Sequence, residues 1–153
     1  MQFWHIMLLV GFMLMMDLIV VGAILNVAVQ TLFEPLSKRF PPQEMMADAV
    51  EKSFQSVKIG IMNFGMSVHF GVDDKHVHVV PAKLLRWCGG KPSSVPISEV
   101  SVDASAGVDR CRAGKLVDGV IAGIALQAPA WVFREVMARK TARTDLGERA
   151  SEA

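Results

Sequence analysis

Residues 3–25 read FWHIMLLVGFMLMMDLIVVGAIL, an apolar stretch that dominates the start of the chain. The first 33 residues contain no Lys or Arg, and Asp17 is their only carboxylate. A helix needs about 20 apolar residues to cross the roughly 30 Å hydrocarbon core of a bilayer. A helix from about residue 6 to residue 28 meets that length. The sequence therefore predicts one transmembrane span followed by a small domain.

A cleaved signal peptide and a buried core helix are the two alternatives to an anchor. A signal peptide has a basic n-region, a short apolar core and a small-residue cleavage site. Here the n-region has no basic residue, and the passable cleavage sequence Val21-Gly22-Ala23 lies inside the apolar run. A run of this length also favours a span over a core helix. We therefore expect an uncleaved anchor.

The charges that flank the apolar run predict its orientation. All 16 Lys and Arg residues follow residue 33, and Lys38 and Arg39 are the nearest to the run. Basic residues accumulate on the cytoplasmic side of membrane spans. The N-terminus is therefore expected outside the cell, and the domain is expected to be cytoplasmic.

Asp17 lies near the middle of the predicted span, where a carboxylate costs about 2.5–3.5 kcal/mol on insertion scales. Such a residue usually faces a partner or water. One hypothesis is that Asp17 meets a polar group on another membrane protein or on a second copy. Asn26 lies nine residues after Asp17 and therefore on nearly the opposite side of the helix. Gly22 and Asn26 are four residues apart and could form a small, polar contact face there. The alternative is a protonated Asp17 in a helix apolar enough to carry it.

The composition excludes several classes of function. The net charge is +1, and no basic stripe with interleaved aromatic residues indicates a nucleic-acid binder. No metalloprotease, P-loop or nucleophile-elbow motif is present, so we expect no enzyme and no cofactor.

His69, His76 and His78 near two aspartates are a weak metal signal, because their spacing matches no usual ligand motif. Cys88 and Cys111 are too few for a disulfide framework.

The chain divides into four expected segments. They are an anchor helix at 1–33, an interfacial helix with a linker at 34–52, a β-rich domain at 53–142 and a disordered tail at 143–153. The interfacial helix is predicted from the spacing of apolar residues such as Leu36 between residues 32 and 40.

Within the β-rich segment, alternating apolar residues predict antiparallel strands. The clearest hairpin covers residues 66–80 around a turn at 73–76. Apolar runs at 54–64 and 116–126 predict further strands, and apolar residues at helical spacing predict an amphipathic helix over 129–141. The expected fold class is α+β, with an N-terminal transmembrane helix and a small antiparallel β-barrel closed by the C-terminal helix.

Several strands followed by one amphipathic helix is also the outline of a pleckstrin-homology-like (PH-like) barrel. Five pieces of the chain carry a resemblance, namely 34–41 (EPLSKRFP), 54–60 (FQSVKIG), 72–74 (VDD), 77–79 (VHV) and 95–100 (VPISEV). With these pieces, over most of residues 34–137, the chain resembles a group of uncharacterised bacterial single-span membrane proteins with a PH-like domain. That group usually has Ile-Pro-Trp-x-Glu-Ile where this chain has Ile97 in place of the Trp. The resemblance implies a PH-like fold at the bacterial inner membrane, and the group has no assigned reaction to carry over.

A basic and aromatic cluster follows the hairpin. Lys83, Arg86 and Lys91 surround Trp87, which is the composition of a surface that lies on anionic lipid headgroups. The alternative is a loop whose apolar residues close the barrel. The sequence thus predicts a non-enzymatic, membrane-anchored interaction module, as an accessory or structural subunit of a larger membrane complex. A module that binds anionic headgroups at the cytoplasmic surface is the alternative function.

Overall fold

The computed structural model describes residues 2–102 and 116–151, with side chains for residues 3–102 and 116–144. A long N-terminal helix, a curled antiparallel sheet and a C-terminal helix make up these residues. The helices are α1 (Gln2–Arg39), α2 (Lys83–Trp87) and α3 (Ala130–Ser151), with a 3-10 turn at Ile97–Glu99. The strands are β1 (Val50–Ile59), β2 (Met62–Val72), β3 (His76–Pro81), β4 (Ser93–Pro96), β5 (Val100–Val102), β6 (Leu116–Ile121) and β7 (Ile124–Pro129).

Helix α1 is long and apolar enough to cross a membrane, and it has two parts. Residues 3–24 are all exposed, and their side chains are almost entirely apolar. Further along, Val29, Phe33 and Leu36 are buried in the hydrophobic core of the β domain. The helix is continuous to Arg39, so the separate interfacial helix expected within 34–52 does not form. The apolar residues expected on that helix belong to α1, where Phe33 and Leu36 pack on the apolar inner face of the sheet.

The seven strands form one sheet in the order β4-β3-β2-β1-β7-β6-β5, and every neighbouring pair is antiparallel. The register between β1 and β2 shifts at Lys52–Gln55 and again at Gln55–Val57. Such bulges bend a strand and increase its twist, which lets a sheet curl. The sheet becomes a half-barrel whose inner face is filled from α1 on one side and from Val132, Phe133 and Val136 of α3 on another.

The hairpin predicted at 66–80 is confirmed, because β2 pairs with β3 around a turn in which Asp73 N–H donates to the His76 carbonyl. The runs at 54–64 and 116–126 are each two strands, not one. Their turns fall at Gly60 and at Ala122-Gly123, where φ is positive. Two-residue hairpins require that backbone. Helix α3 begins one residue after Pro129 and continues to Ser151, beyond the end expected near residue 141.

Candidate functional site

Asp17 is exposed on α1 in the middle of its apolar part. Within residues 2–102 and 116–151, no hydrogen bond or ion pair engages its carboxylate. Gly22 is exposed as well, and a methyl group added there would meet no atom within 4 Å. This part of the helix is therefore open on the sides that carry Asp17 and Gly22.

Asn26 lies in a different environment from Asp17. A helix turns about 100° per residue, so Asn26 and Gly22 fall within about 60° of the stripe that Val29 buries in the domain. Asn26 is half-buried there. Asp17 lies about 120° away from that stripe, on a side of the helix that the domain does not cover. The structure thus separates the expected contact residues onto two sides of α1.

The loop that follows α2 packs on α1 through two glycines. A methyl group added at Gly89 would lie 2.9 Å from Gln30 Cγ, and one added at Gly90 would lie 3.1 Å from Val29 Cγ1. Gly89 also has a φ of +88°, a backbone that side chains other than glycine disfavour. Leu85 is buried behind this contact. The segment that carries the basic cluster is therefore held against α1 at Val29 and Gln30.

The outer face of α2 carries the residues predicted to contact lipid. Trp87 is 90% exposed and Leu84 is 64% exposed. Lys83, Arg86 and Lys91 are all exposed around them. Lys83, Leu84, Arg86 and Trp87 are exposed on α2, and Lys91 is exposed in the loop that packs on α1. We call these five exposed residues, Lys83, Leu84, Arg86, Trp87 and Lys91, the α2 patch.

A buried polar chain that the sequence did not reveal joins two strands to the linker after α1. His78 Nε2 lies 2.8 Å from Asp73 Oδ2, and His78 Nδ1 lies 2.9 Å from Ser94 Oγ. The Gln43 N–H donates to Ser94 Oγ at 2.8 Å. Asp73, His78 and Ser94 are 0%, 2% and 3% exposed. The pairing of β3 with β4 places His78 opposite Ser94. These residues are 16 positions apart in the sequence, so no local pattern could have predicted their contact.

The ionisation of Asp73 decides where the proton between Asp73 and His78 lies. Burial raises the pKa of Asp73, but hydrogen bonds from His78 and from the Lys75 and His76 N–H groups outweigh it and lower the pKa to about 2. An ionised Asp73 only accepts, so Nε2 of His78 carries the proton that faces it. With neutral His78, Nδ1 then accepts from the Ser94 hydroxyl, and every group in the chain is satisfied.

Serine, histidine and aspartate in a row are the residue types of a hydrolase triad. In such a triad the serine oxygen must reach a substrate. Here Ser94 is buried, and its oxygen already accepts the Gln43 N–H. Met45 lies over Gly71, the residue that pairs with His78, because a methyl group added at Gly71 would lie 2.6 Å from Met45 Sδ. The arrangement is suited to holding the linker on the sheet.

A second polar cluster holds α3. Arg139 Nη1 lies 2.8 Å from Asp48 Oδ2 and pairs with Asp74, while its Nε donates to Glu135 at 3.0 Å. The Arg139 hydrogen bond holds the pKa of Asp48 below its usual range. The cluster joins α3 to the linker and to the β2–β3 turn. Among the described residues, no group of three or more His, Cys, Asp or Glu side chains could hold a metal ion.

One of the two cysteines lies within the described residues. Cys88 is a half-buried free thiol at the end of α2, and Cys111 lies outside the described residues. Among the described residues, the predicted contact residues are exposed on the Asp17 side of α1 and in the α2 patch. No protein-family model matches this chain, and no curated protein is similar to it in sequence.

Proposed function

We propose that this chain is a non-enzymatic, membrane-anchored interaction module, acting as an accessory subunit of a larger membrane protein complex. Helix α1 spans the bacterial inner membrane with its N-terminus outside, and the β domain lies on the cytoplasmic surface. The side of the span that carries Asp17 binds another membrane protein. The observation that carries the proposal is the exposed Asp17 in the middle of the apolar part of α1.

The cost of Asp17 supports a partner. An unpaired carboxylate at this depth costs about 2.5–3.5 kcal/mol. The domain does not offset that cost, because its first contact with α1 is at Leu25, about 12 Å further along the axis. A hydrogen-bond donor on a second span would satisfy the carboxylate. Asp17 faces away from the side that the domain covers, so a second span has room beside it.

The continuity of α1 supports a module with a fixed orientation. The same helix that carries Asp17 buries Phe33 and Leu36 in the core of the domain. A partner bound at Asp17 would therefore have the β domain held beside it at a defined angle. A flexible linker between α1 and the domain would leave this angle undefined.

The architecture supports the PH-like part of the proposal. The curled antiparallel sheet and the C-terminal helix that packs on it match the PH-like outline. PH-like domains serve as binding surfaces in many settings, which agrees with an interaction role. The fold by itself assigns no partner.

The test is purification of the tagged full-length protein from its native membrane in mild detergent, with bound proteins identified by mass spectrometry. Asp17→Leu is compared with Met16→Leu, a matched change at the neighbouring exposed position. We expect a defined membrane partner with the wild type and with Met16→Leu, and its loss with Asp17→Leu. Resistance to carbonate extraction should be equal in all three proteins.

Retention of the same partner by Asp17→Leu would overturn the proposal, and so would purification of the wild type alone. A wild-type dimer that dissociates in Asp17→Leu would show that the span binds a second copy instead of another subunit. A second contact, with anionic lipid headgroups, rests on a different observation, the packing on α1 of the loop that follows α2.

A further inference from the structure

Helix α1 provides a scale of depth for the whole molecule. Leu25 is the first of its residues to pack on the β domain. The stretch from Ile6 to Leu25 contains about 20 residues and measures about 30 Å, which is the thickness of the hydrocarbon core. With Ile6 placed at the outer boundary of the hydrocarbon core, the inner boundary falls at Leu25, where the domain first contacts α1.

The contact with α1 fixes the depth of α2. Gln30 lies about 7 Å beyond Leu25 along the helix axis. The headgroup layer on each side of a bilayer is about 5–7 Å thick. Gly89 and Gly90 lie close against Gln30 and Val29. The loop that directly follows α2 is therefore held at the depth of the headgroups, and it keeps α2 near that depth.

The chemistry of the α2 patch fits that depth. Trp87, at 90% exposed, offers an amphipathic ring of the kind that gathers at membrane interfaces. Leu84 adds an exposed apolar side chain next to it. Lys83, Arg86 and Lys91 are exposed cations near them in the chain, and cations close to an anionic membrane surface are attracted to it. In water, an exposed tryptophan ring would gain nothing that offsets the cost of exposing its apolar surface.

We propose that the α2 patch lies in the headgroup layer of the bilayer that holds α1 and binds anionic phospholipid headgroups there. This inference rests on the membrane span of the proposed function, and it is independent of any protein partner at Asp17. The patch would fix the tilt of the domain against the membrane surface. It also places basic residues directly at the cytoplasmic face, where the positive-inside rule expects them.

The three tryptophans make the proposal measurable. Three variants of the full-length protein each keep one of Trp4, Trp87 and Trp131 and carry Phe at the other two positions. Each is reconstituted in vesicles of phosphatidylcholine and phosphatidylglycerol that contain a lipid brominated close to the headgroup. Trp4 in the span is the positive control for insertion. Trp131 is the negative control, since it is half-buried and donates to Gln55.

We expect the bromolipid to quench Trp87 several-fold more than Trp131, and to a degree similar to Trp4. Quenching of Trp87 should fall when phosphatidylglycerol is replaced by phosphatidylcholine. It should fall equally in the Lys83→Gln/Arg86→Gln/Lys91→Gln variant, because that variant lacks the cations. Lys75→Gln/Arg143→Gln is the matched control, which removes exposed cations elsewhere and should change nothing.

Two outcomes would overturn the inference. One is quenching of Trp87 no stronger than that of Trp131 while Trp4 is quenched, which would leave the span intact and remove the headgroup contact. The other is quenching of Trp87 that does not depend on phosphatidylglycerol or on the three cations. Absence of quenching at Trp4 would instead refute the span, and the depth scale would fail with it.

Discussion

Two neighbouring serines in β4 differ in what their hydroxyl groups contact. Ser94 Oγ is bonded both to His78 and to the Gln43 N–H. Ser93 Oγ is equally buried, and it has no hydrogen-bond partner among the described residues. Successive side chains of a strand point to opposite faces, which explains the contrast. One hydroxyl reaches the polar chain under the linker, and the other faces the core.

We therefore predict opposite effects of two like changes. Ser94→Ala leaves the His78 ring and the Gln43 N–H without their partner, so unfolding should become easier by about 1–3 kcal/mol. Ser93→Ala removes an unsatisfied hydroxyl and should be neutral or stabilising. Chemical denaturation of the full-length protein in detergent, followed by tryptophan fluorescence, measures both. Equal effects of the two substitutions would contradict the role of the buried chain.

Asp73 makes the stability of the domain depend on acid. Its pKa is about 2 in the folded protein and 3.8 when unperturbed. A lowered pKa means that the ionised carboxylate stabilises the folded state above about pH 4. That contribution, about 2 kcal/mol, should be lost as the pH falls from about 4 to about 2. Asp73→Asn should lower stability at neutral pH and flatten this window. Unfolding free energies measured from pH 7 to pH 2 give the comparison, and parallel curves would refute it.

At the scale of elements, α3 depends on one arginine for its link to the linker and the turn. Arg139 is 15% exposed, and its partners Asp48 and Asp74 are 48% and 67% exposed. Solvent screens such partners, which keeps the gain below that of a fully buried pair. The Glu135 bond lies within α3 itself, one turn away. The contacts to Asp48 and Asp74 therefore hold α3 on the domain.

We predict that Arg139→Gln lowers the free energy of unfolding by about 1–2 kcal/mol. Arg143→Gln, one turn further along α3 on an exposed side chain, should change it by less than about 0.5 kcal/mol. Hydrogen exchange of the linker amides gives a local readout, because Asp48 loses its partner in the first variant only. Unchanged linker protection in Arg139→Gln would argue against this role.

At the scale of the whole molecule, the long apolar helix α1 is also a core element. Phe33 is 3% exposed and meets Phe64 of β2 edge to face, with 6.0 Å between the ring centroids. Aromatic pairs of this geometry add to the gain from burial itself. The domain is therefore incomplete without the last turns of α1.

Two truncations of phenylalanine on the same helix test this dependence. Phe33→Ala should lower the free energy of unfolding of the β domain by about 3–5 kcal/mol. Phe12→Ala removes the same atoms from an exposed position in the span and should leave the domain unchanged. Denaturant unfolding of both full-length variants is the measurement. A domain equally stable in the two variants would show that it folds without α1.

Local patterns in the sequence were enough for the elements whose evidence is local. The apolar run of α1, the alternation around the 73–76 turn and the helical spacing after Pro129 each correspond to an observed element. The turns at Gly60 and at Ala122 were missed because apolar residues continue through both of them. A hydropathy pattern does not show where one strand ends and the next begins, whereas the positive φ angles at these turns do.

The sequence by itself determined the length and polarity of the span, the odd position of Asp17 and the β-rich class of the domain, because these follow from side chains close along the chain. Only the tertiary structure decided which side chains are buried and which elements pack on them. Lys38 and Arg39 are nearest to the span in sequence, yet Lys38 pairs with Glu34 one turn earlier in α1, and Arg39 pairs with Glu99 of the domain. The α2 patch lies closer to the membrane exit, because Gly89 and Gly90 pack on α1. Burial of Phe33 and of His78 likewise depends on partners far away in the chain, which no local pattern encodes.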